Sequence, residues 1–259
     1  MHIPDNYLSP STCIALTTIT VPILKRATVK IKEEVTKKKL PLIGVCSAFS
    51  FLLMMFNVPL PGGTTGHAIG ATIIAILLGP YAATICLTVV LAIQAFLFGD
   101  GGILALGVNV FNMGIITPFV GYYFFNKIKG NSEKRNYVAA FISAYIAANI
   151  SALVTALELG LQPLLFKSAS GVPMYFPYSL KVTIPTMVIS HILFAGLLEG
   201  ILTVGVYGFI KKTSPDIIYE DINESKATKL NPLYGLILSM IVLSPLGLLA
   251  TGEVWGEWA

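Results

Sequence analysis

Residues 71–98, ATIIAILLGPYAATICLTVVLAIQAFLF, decide the fold class. The stretch carries no charged side chain, and its only interruption is Gly79-Pro80. An α-helix needs about 20 apolar residues to cross a hydrocarbon core of about 30 Å. Proline cannot continue a preceding helix, so the reading here is two apolar segments joined by a tight turn.

Outward from this stretch the pattern repeats without a fixed period. Apolar segments fall near residues 9–24, 40–57, 67–79, 80–98, 103–126, 136–166, 178–210 and 232–250, which makes eight candidate helices. Of the 259 residues 55% are apolar and 12% charged, with a mean hydropathy of +0.78, against about 25% charged in soluble domains. So few charges cannot clothe a water-soluble surface. A helix satisfies its own backbone hydrogen bonds in lipid, and the expected architecture is therefore an all-α integral membrane protein. Only residues 25–39 and 211–231 are polar over any length, and both read as short cytoplasmic connections.

Lysines and arginines give the orientation, because the cytoplasmic side retains positive charge. Seven lie between Lys25 and Lys39, four between Lys127 and Arg135, and four more are Lys211, Lys212, Lys226 and Lys229. Of seventeen basic residues only Lys167 and Lys181 fall near the other face. Eight spans with this charge distribution put both termini outside. The net charge of +4 is thus a topology signal and does not point to nucleic acid.

The chain opens Met1-His2-Ile3-Pro4-Asp5, with no basic region and apolar core of a cleaved signal, so Met1 is expected to be retained. Only three histidines occur, and one is His2. A terminal amine, the deprotonated His2 amide and the His2 Nδ1 close a five-membered and a six-membered chelate ring in one plane. They fill three corners of a square, a geometry that suits Ni(II) or Cu(II) better than tetrahedral Zn(II). His67 is the candidate for the fourth. It follows Pro59-Leu60-Pro61-Gly62-Gly63-Thr64-Thr65-Gly66, a segment too rich in Gly and Pro to be helical, at the expected outer end of the third helix. Taken singly these features have plainer readings: a histidine at position two as a solvated terminus, and a Gly-rich loop as an anion cradle or a simple turn.

The run from Met1 through Pro10, MHIPDNYLSP, resembles the start of the CbiM/NikM family, the substrate-binding S components of energy-coupling factor (ECF) transporters for cobalt and nickel. The likeness continues through Gly-Thr-Thr-Gly-His at 63–67, Phe98-Gly99-Asp100-Gly101-Gly102 and Asn109-Val110-Phe111-Asn112-Met113-Gly114. Asn6 stands where glycine is usual, and Thr65 where serine is more familiar. The resemblance implies Ni2+ or Co2+ as transported substrate, held by the Met1 amine, the His2 amide and imidazole, and His67. It also implies a six-helix S-component core plus an extra N-terminal helix within 1–210, a cytoplasmic connection at 211–231, and an appended transmembrane helix and tail at 232–259. The implied partners are a transmembrane coupling subunit (EcfT-like), two cytosolic ATPases and small accessory membrane subunits, in a bacterial cell membrane with the N-terminus extracellular.

Polar groups inside a membrane are costly, at about 2.5–3.5 kcal/mol for a mid-helix charge on insertion scales, and each requires an account. His191 and Glu199 lie eight residues apart on one helix and are expected to be satisfied by neighbouring helices. Glu158 and Gln162 approach the expected outer end of the sixth helix, where they are candidates to orient the His67 ring. Asp100 and Asn109 are candidates for the same role, whereas Asn112 reads as packing or capping. Cys13, Cys46 and Cys86 show no Cys-x-x-Cys spacing and read as small core residues. Gly44 and Ala48 suggest a close helix approach.

No G-x-x-x-x-G-K-[ST] phosphate loop occurs, so ATP-driven transport requires partners. H-E-x-x-H is also missing, which demotes an intramembrane metalloenzyme. A self-sufficient secondary metal-ion carrier is the runner-up, with Glu199 its only mid-membrane acid.

Overall fold

The computed structural model describes residues 1–34, 40–60 and 64–219. Seven helices run through the described residues: α1 (Pro10–Glu34), α2 (Leu40–Met54), α3 (Ala71–Leu78), α4 (Pro80–Phe98), α5 (Leu106–Ile128), α6 (Glu133–Leu165) and α7 (Leu180–Thr213). Five of them, α1 and α4 to α7, are long and apolar enough to cross a membrane. The segment expected at 232–250 lies outside the described residues.

Two elements depart from the sequence pattern. Helix α1 does not stop before Lys25 but continues to Glu34, because Lys and Arg are good helix formers that carry their charges outward on long stems. Helix α3 has eight residues, about 12 Å of rise, and cannot cross the membrane. The residues before it form a short antiparallel hairpin, β1 (Val58–Leu60) with β2 (Thr64–Gly66), in which Val58 pairs with Gly66. His67 therefore sits inside the bundle and not at the outer end of a full-length span. Gly79, at φ 86°, makes the expected turn into α4.

Helix α6 is the centre of the packing. Its buried face is almost all small, with Ala140, Ala144, Ala147, Ser151 and Ala152 inaccessible or nearly so. In lipid, where apolar side chains gain little by leaving one apolar phase for another, such a face allows backbones to approach and dispersion contacts to form. Helix α7 meets it with Gly200 against Phe141 and with Thr183 against Gly160. By contrast, α1 lies at the periphery beside α4 and α5, with Ile14, Ile19 and Val21 exposed. A Cβ placed at Gly44 would meet nothing within 4 Å, so the close approach expected at α2 is not made by the described residues.

Three π-helical stretches interrupt the long helices: Gln94–Phe98 in α4, Val110–Ile116 in α5 and His191–Ala195 in α7. Each begins at or next to a buried polar residue, namely Gln94, Asn109 and His191. An added residue per turn re-aims side chains, which is why such bulges gather at functional sites.

Candidate metal centre

The first nine residues run into the bundle, with only Asp5 and Asn6 among them exposed. Asn109 holds them like a strand partner: its Oδ1 accepts from the Ile3 N–H at 2.8 Å, and its Nδ2 donates to the Ile3 carbonyl at 3.0 Å. The Gly102 N–H donates to the same carbonyl at 2.9 Å. Asp5 accepts from the backbone N–H groups of Ile103, Leu104 and Ala105 at 3.0, 2.9 and 3.3 Å. Gly102 is required by this approach, because a Cβ there would overlap the Asp5 carboxylate and backbone nitrogen. Asn6, at φ 72°, makes the bend, and asparagine is among the few non-glycine residues that accept the left-handed region. Ile3 and Leu8 then pack with Cys13, Ala105, Val108 and Leu159, at about 1.5–3 kcal/mol for each large side chain removed from water.

This threading puts His2, 2% exposed, opposite His67, 6% exposed. The His2 Nδ1 lies 3.2 Å from the His67 Nε2, and the ring centroids are 5.0 Å apart. On its other side the His2 ring donates from Nε2 to the Gln94 Oε1 at 3.2 Å. An amide oxygen only accepts, so Nε2 carries the hydrogen and Nδ1 keeps its lone pair toward His67. The Asp100 carboxylate stands 3.5 Å from the same Nδ1. Burial above all, then the positive charge of the Met1 amine, pushes the His67 imidazole well below its ordinary pKa of 6.5. It is thereby kept neutral, the form that binds metal.

Metal–nitrogen bonds of about 2.0–2.1 Å place adjacent corners of a square about 2.9 Å apart and opposite corners about 4.1 Å apart. The observed 3.2 Å fits adjacent corners, with small movement. Adjacent is also what the chelate requires: with the amine, amide and Nδ1 on three successive corners, the fourth ligand lies next to Nδ1. Among the described residues no group of three or more His, Cys, Asp or Glu side chains is arranged to hold a metal.

The other sequence candidates occupy different places. Gln162 accepts from the Ser9 N–H at 2.9 Å and so holds the start of α1, while Glu158 accepts from Asn112 Nδ2 at 2.6 Å. Both are bonded away from the His67 ring they were expected to orient. His191 donates from Nδ1 to the Met187 carbonyl at 2.8 Å, and Glu199 bonds to the backbone of Ile69 and Gly70. The two are satisfied separately, Glu199 by the segment before α3 and His191 by its own helix and not, as expected, by a neighbouring one. Gln94 was not among the candidates. Its signal was present in the sequence as an uncharged but polar side chain inside the apolar run 80–98.

Fold and site together define a mainly helical integral membrane protein whose amino-terminal segment is drawn into a centre where two buried imidazole nitrogens meet. The chain belongs to the CbiM family, described as the cobalt uptake substrate-specific transmembrane region, whose model matches residues 2–217. It is 41% identical over 261 residues to the fused nickel transport protein NikMN of Rhodobacter capsulatus, covering 100% of this chain and 75% of that protein. It is 32% identical over 216 residues to the cobalt transport protein CbiM of Ruminiclostridium cellulolyticum, covering 83% of this chain and 84% of that one. A crystal structure of a truncated transition metal transporter superposes with a TM-score of 0.78 at 51% identity, covering 82% of this chain and 99% of the other.

Proposed function

We propose that this protein captures Ni2+ or Co2+ at the extracellular face as the substrate-specific membrane subunit of an ATP-driven ECF-type importer. The observation that carries the reading is the 3.2 Å approach of His2 Nδ1 to His67 Nε2, two buried nitrogens 65 residues apart in the chain, with Gln94 fixing the first ring. The proposed ligands are the Met1 amine, the His2 amide and Nδ1, and the His67 Nε2, with Asp100, Asn109, Glu158 and Gln162 supporting the segments that present them. The basic loops favour an extracellular amino terminus, and the relatives named for nickel and cobalt transport support these ions as substrate. A transmembrane coupling subunit, two cytosolic ATPases and small accessory membrane subunits would supply the energy for inward release. Residues 1–210 form the metal-binding unit in this reading, with 211–231 a cytoplasmic connection and 232–259 an appended helix and tail.

The test is Ni2+ titration of the purified protein beginning at Met1, followed by visible spectroscopy. A yellow, diamagnetic complex is expected for four nitrogens in a plane. His2→Ala should lose the chelate, whereas His67→Ala should keep three nitrogens, bind more weakly and change the spectrum. Unaltered binding in both variants would overturn the ligand set.

A further inference from the structure

We infer that Glu199 is the residue that positions His67, setting the metal-binding imidazole from a helix that contributes no ligand. This rests on the proposed role of His67 in holding the metal. Glu199 lies on α7, 2% exposed, and its two oxygens accept from two successive backbone N–H groups, Ile69 at 2.7 Å and Gly70 at 2.9 Å. With both oxygens so engaged, it is not itself placed to bind metal. A carboxylate buried in a bundle is expensive and persists where hydrogen bonds offset its lost hydration. Here the bonds are charge-assisted and come from the last two amides before α3, at the positive end of the helix dipole.

The consequence for His67 follows from how little chain separates it from that clamp. Only Ala68 lies between His67 and Ile69. Ile69 is held at both ends of its backbone, its N–H by Glu199 and its carbonyl by the Ser50 hydroxyl of α2 at 2.7 Å. Gly70, at φ 71°, takes the left-handed turn that starts α3, and a side chain there would crowd Leu53 and Phe49. On the other side of His67, Gly66 is fixed in register with Val58 by the hairpin. The imidazole is thus suspended between a strand pair and the Glu199 clamp, and no hydrogen bond from Glu199 reaches the ring itself. Loss of the clamp frees the C-terminal side of the His67 loop while the Met1–His2 segment keeps its own anchors at Asn109 and Asp5.

This separates positioning from general structural support. Glutamine at 199 has one accepting oxygen, and its amide would turn a donor toward a backbone donor. Glu199→Gln should weaken Ni2+ binding about tenfold or more, the range found when a group orienting a ligand is removed. The spectrum of its bound Ni2+ should move to that of His67→Ala. In a double-mutant cycle, Glu199→Gln introduced into His67→Ala should change affinity by less than about twofold, because its route of action is already gone. Equal losses in both backgrounds, or unchanged affinity and spectrum in Glu199→Gln alone, would overturn the inference. Glu199→Asp keeps the charge and shortens the reach; it gives the same readings should the glutamine variant not fold. The His67→Ala arm stands apart from these: if it binds Ni2+ as the unsubstituted protein does, the ligand assignment fails, and the positioning role with it.

Discussion

Asn109 pairs with both polar groups of the Ile3 peptide, accepting its N–H at 2.8 Å and donating to its carbonyl at 3.0 Å. One side chain on α5 thus substitutes for a neighbouring strand. It fixes the depth to which the amino terminus enters the bundle, and with it the height of the His2 imidazole. Asn109→Ala removes both bonds and leaves the buried Ile3 N–H unpaired, at about 1–3 kcal/mol, while the Ile3 carbonyl keeps the Gly102 N–H. The expected result is Ni2+ affinity lowered about 10- to 100-fold with helical content retained, measured by calorimetry and circular dichroism. Asn109→Asp should recover little, because it keeps an acceptor for the N–H but sets a carboxylate against the Ile3 carbonyl.

Gln94 acts on the tautomer. Its amide oxygen takes the hydrogen of His2 Nε2, which leaves Nδ1 as the ligand nitrogen. Gln94→Leu is similar in volume and apolar, so the packing of α4 should survive. Ni2+ affinity should nevertheless fall about tenfold or more, and nitrogen-15 shifts of His2 in the metal-free protein should show a mixture of tautomers. A single unchanged tautomer would assign ring orientation to some other contact.

What the sequence could and could not show follows from whether the partner of each group is a pattern or a place. The apolar runs and the Gly79-Pro80 break are patterns, and they place α4 to α7 within a few residues. The extension of α1 to Glu34 was hidden because lysines were read as marking a loop, although they are also good helix formers. Met1, His2 and His67 stood out as chemistry near chain features, whereas Asn109, expected to orient the His67 ring, bonds the backbone of Ile3 instead. Gln94 did not stand out, because a lone amide in an apolar run looks like an inconvenience until His2 is seen 92 residues away. The role of Glu199 had no signature at all: its partners are backbone amides, which every residue but proline carries.

An extension at the amino terminus offers a test that leaves all side chains in place. A residue added before Met1 turns the amine into an amide, removing one proposed ligand, and it must also be housed beside His2 at the buried end of the segment. Ni2+ binding should be lost while the melting temperature of the metal-free protein changes little. Intact-mass measurement of the unextended protein should find Met1 present and unformylated. A species lacking Met1 that binds Ni2+ with the same spectrum would overturn the amine ligand.

The last prediction concerns pH, and its sign follows from His67. Burial lowers the pKa of this imidazole in the folded protein, so the unfolded chain binds a proton below about pH 6.5 that the folded chain does not. Above that pH the histidine carries no penalty; as pH falls below it, the metal-free protein loses stability until the folded pKa is reached. His67→Ala removes this slope, so the melting temperatures of variant and parent should converge or cross on acidification from pH 7 to 5. For metal loading the same burial has a second consequence. His67 is already neutral near pH 7 and gives up no proton when metal binds, whereas the amide of His2 must lose one and the Met1 amine must bind unprotonated. Calorimetry in buffers of different ionisation enthalpy should therefore give about one to two protons released per Ni2+ between pH 6.5 and 7.5, with the amide as the constant contributor. His67→Ala should leave that count unchanged even as it weakens binding. A count near zero would exclude the amide and direct attention to the carboxylate of Asp100, 3.5 Å from the His2 Nδ1.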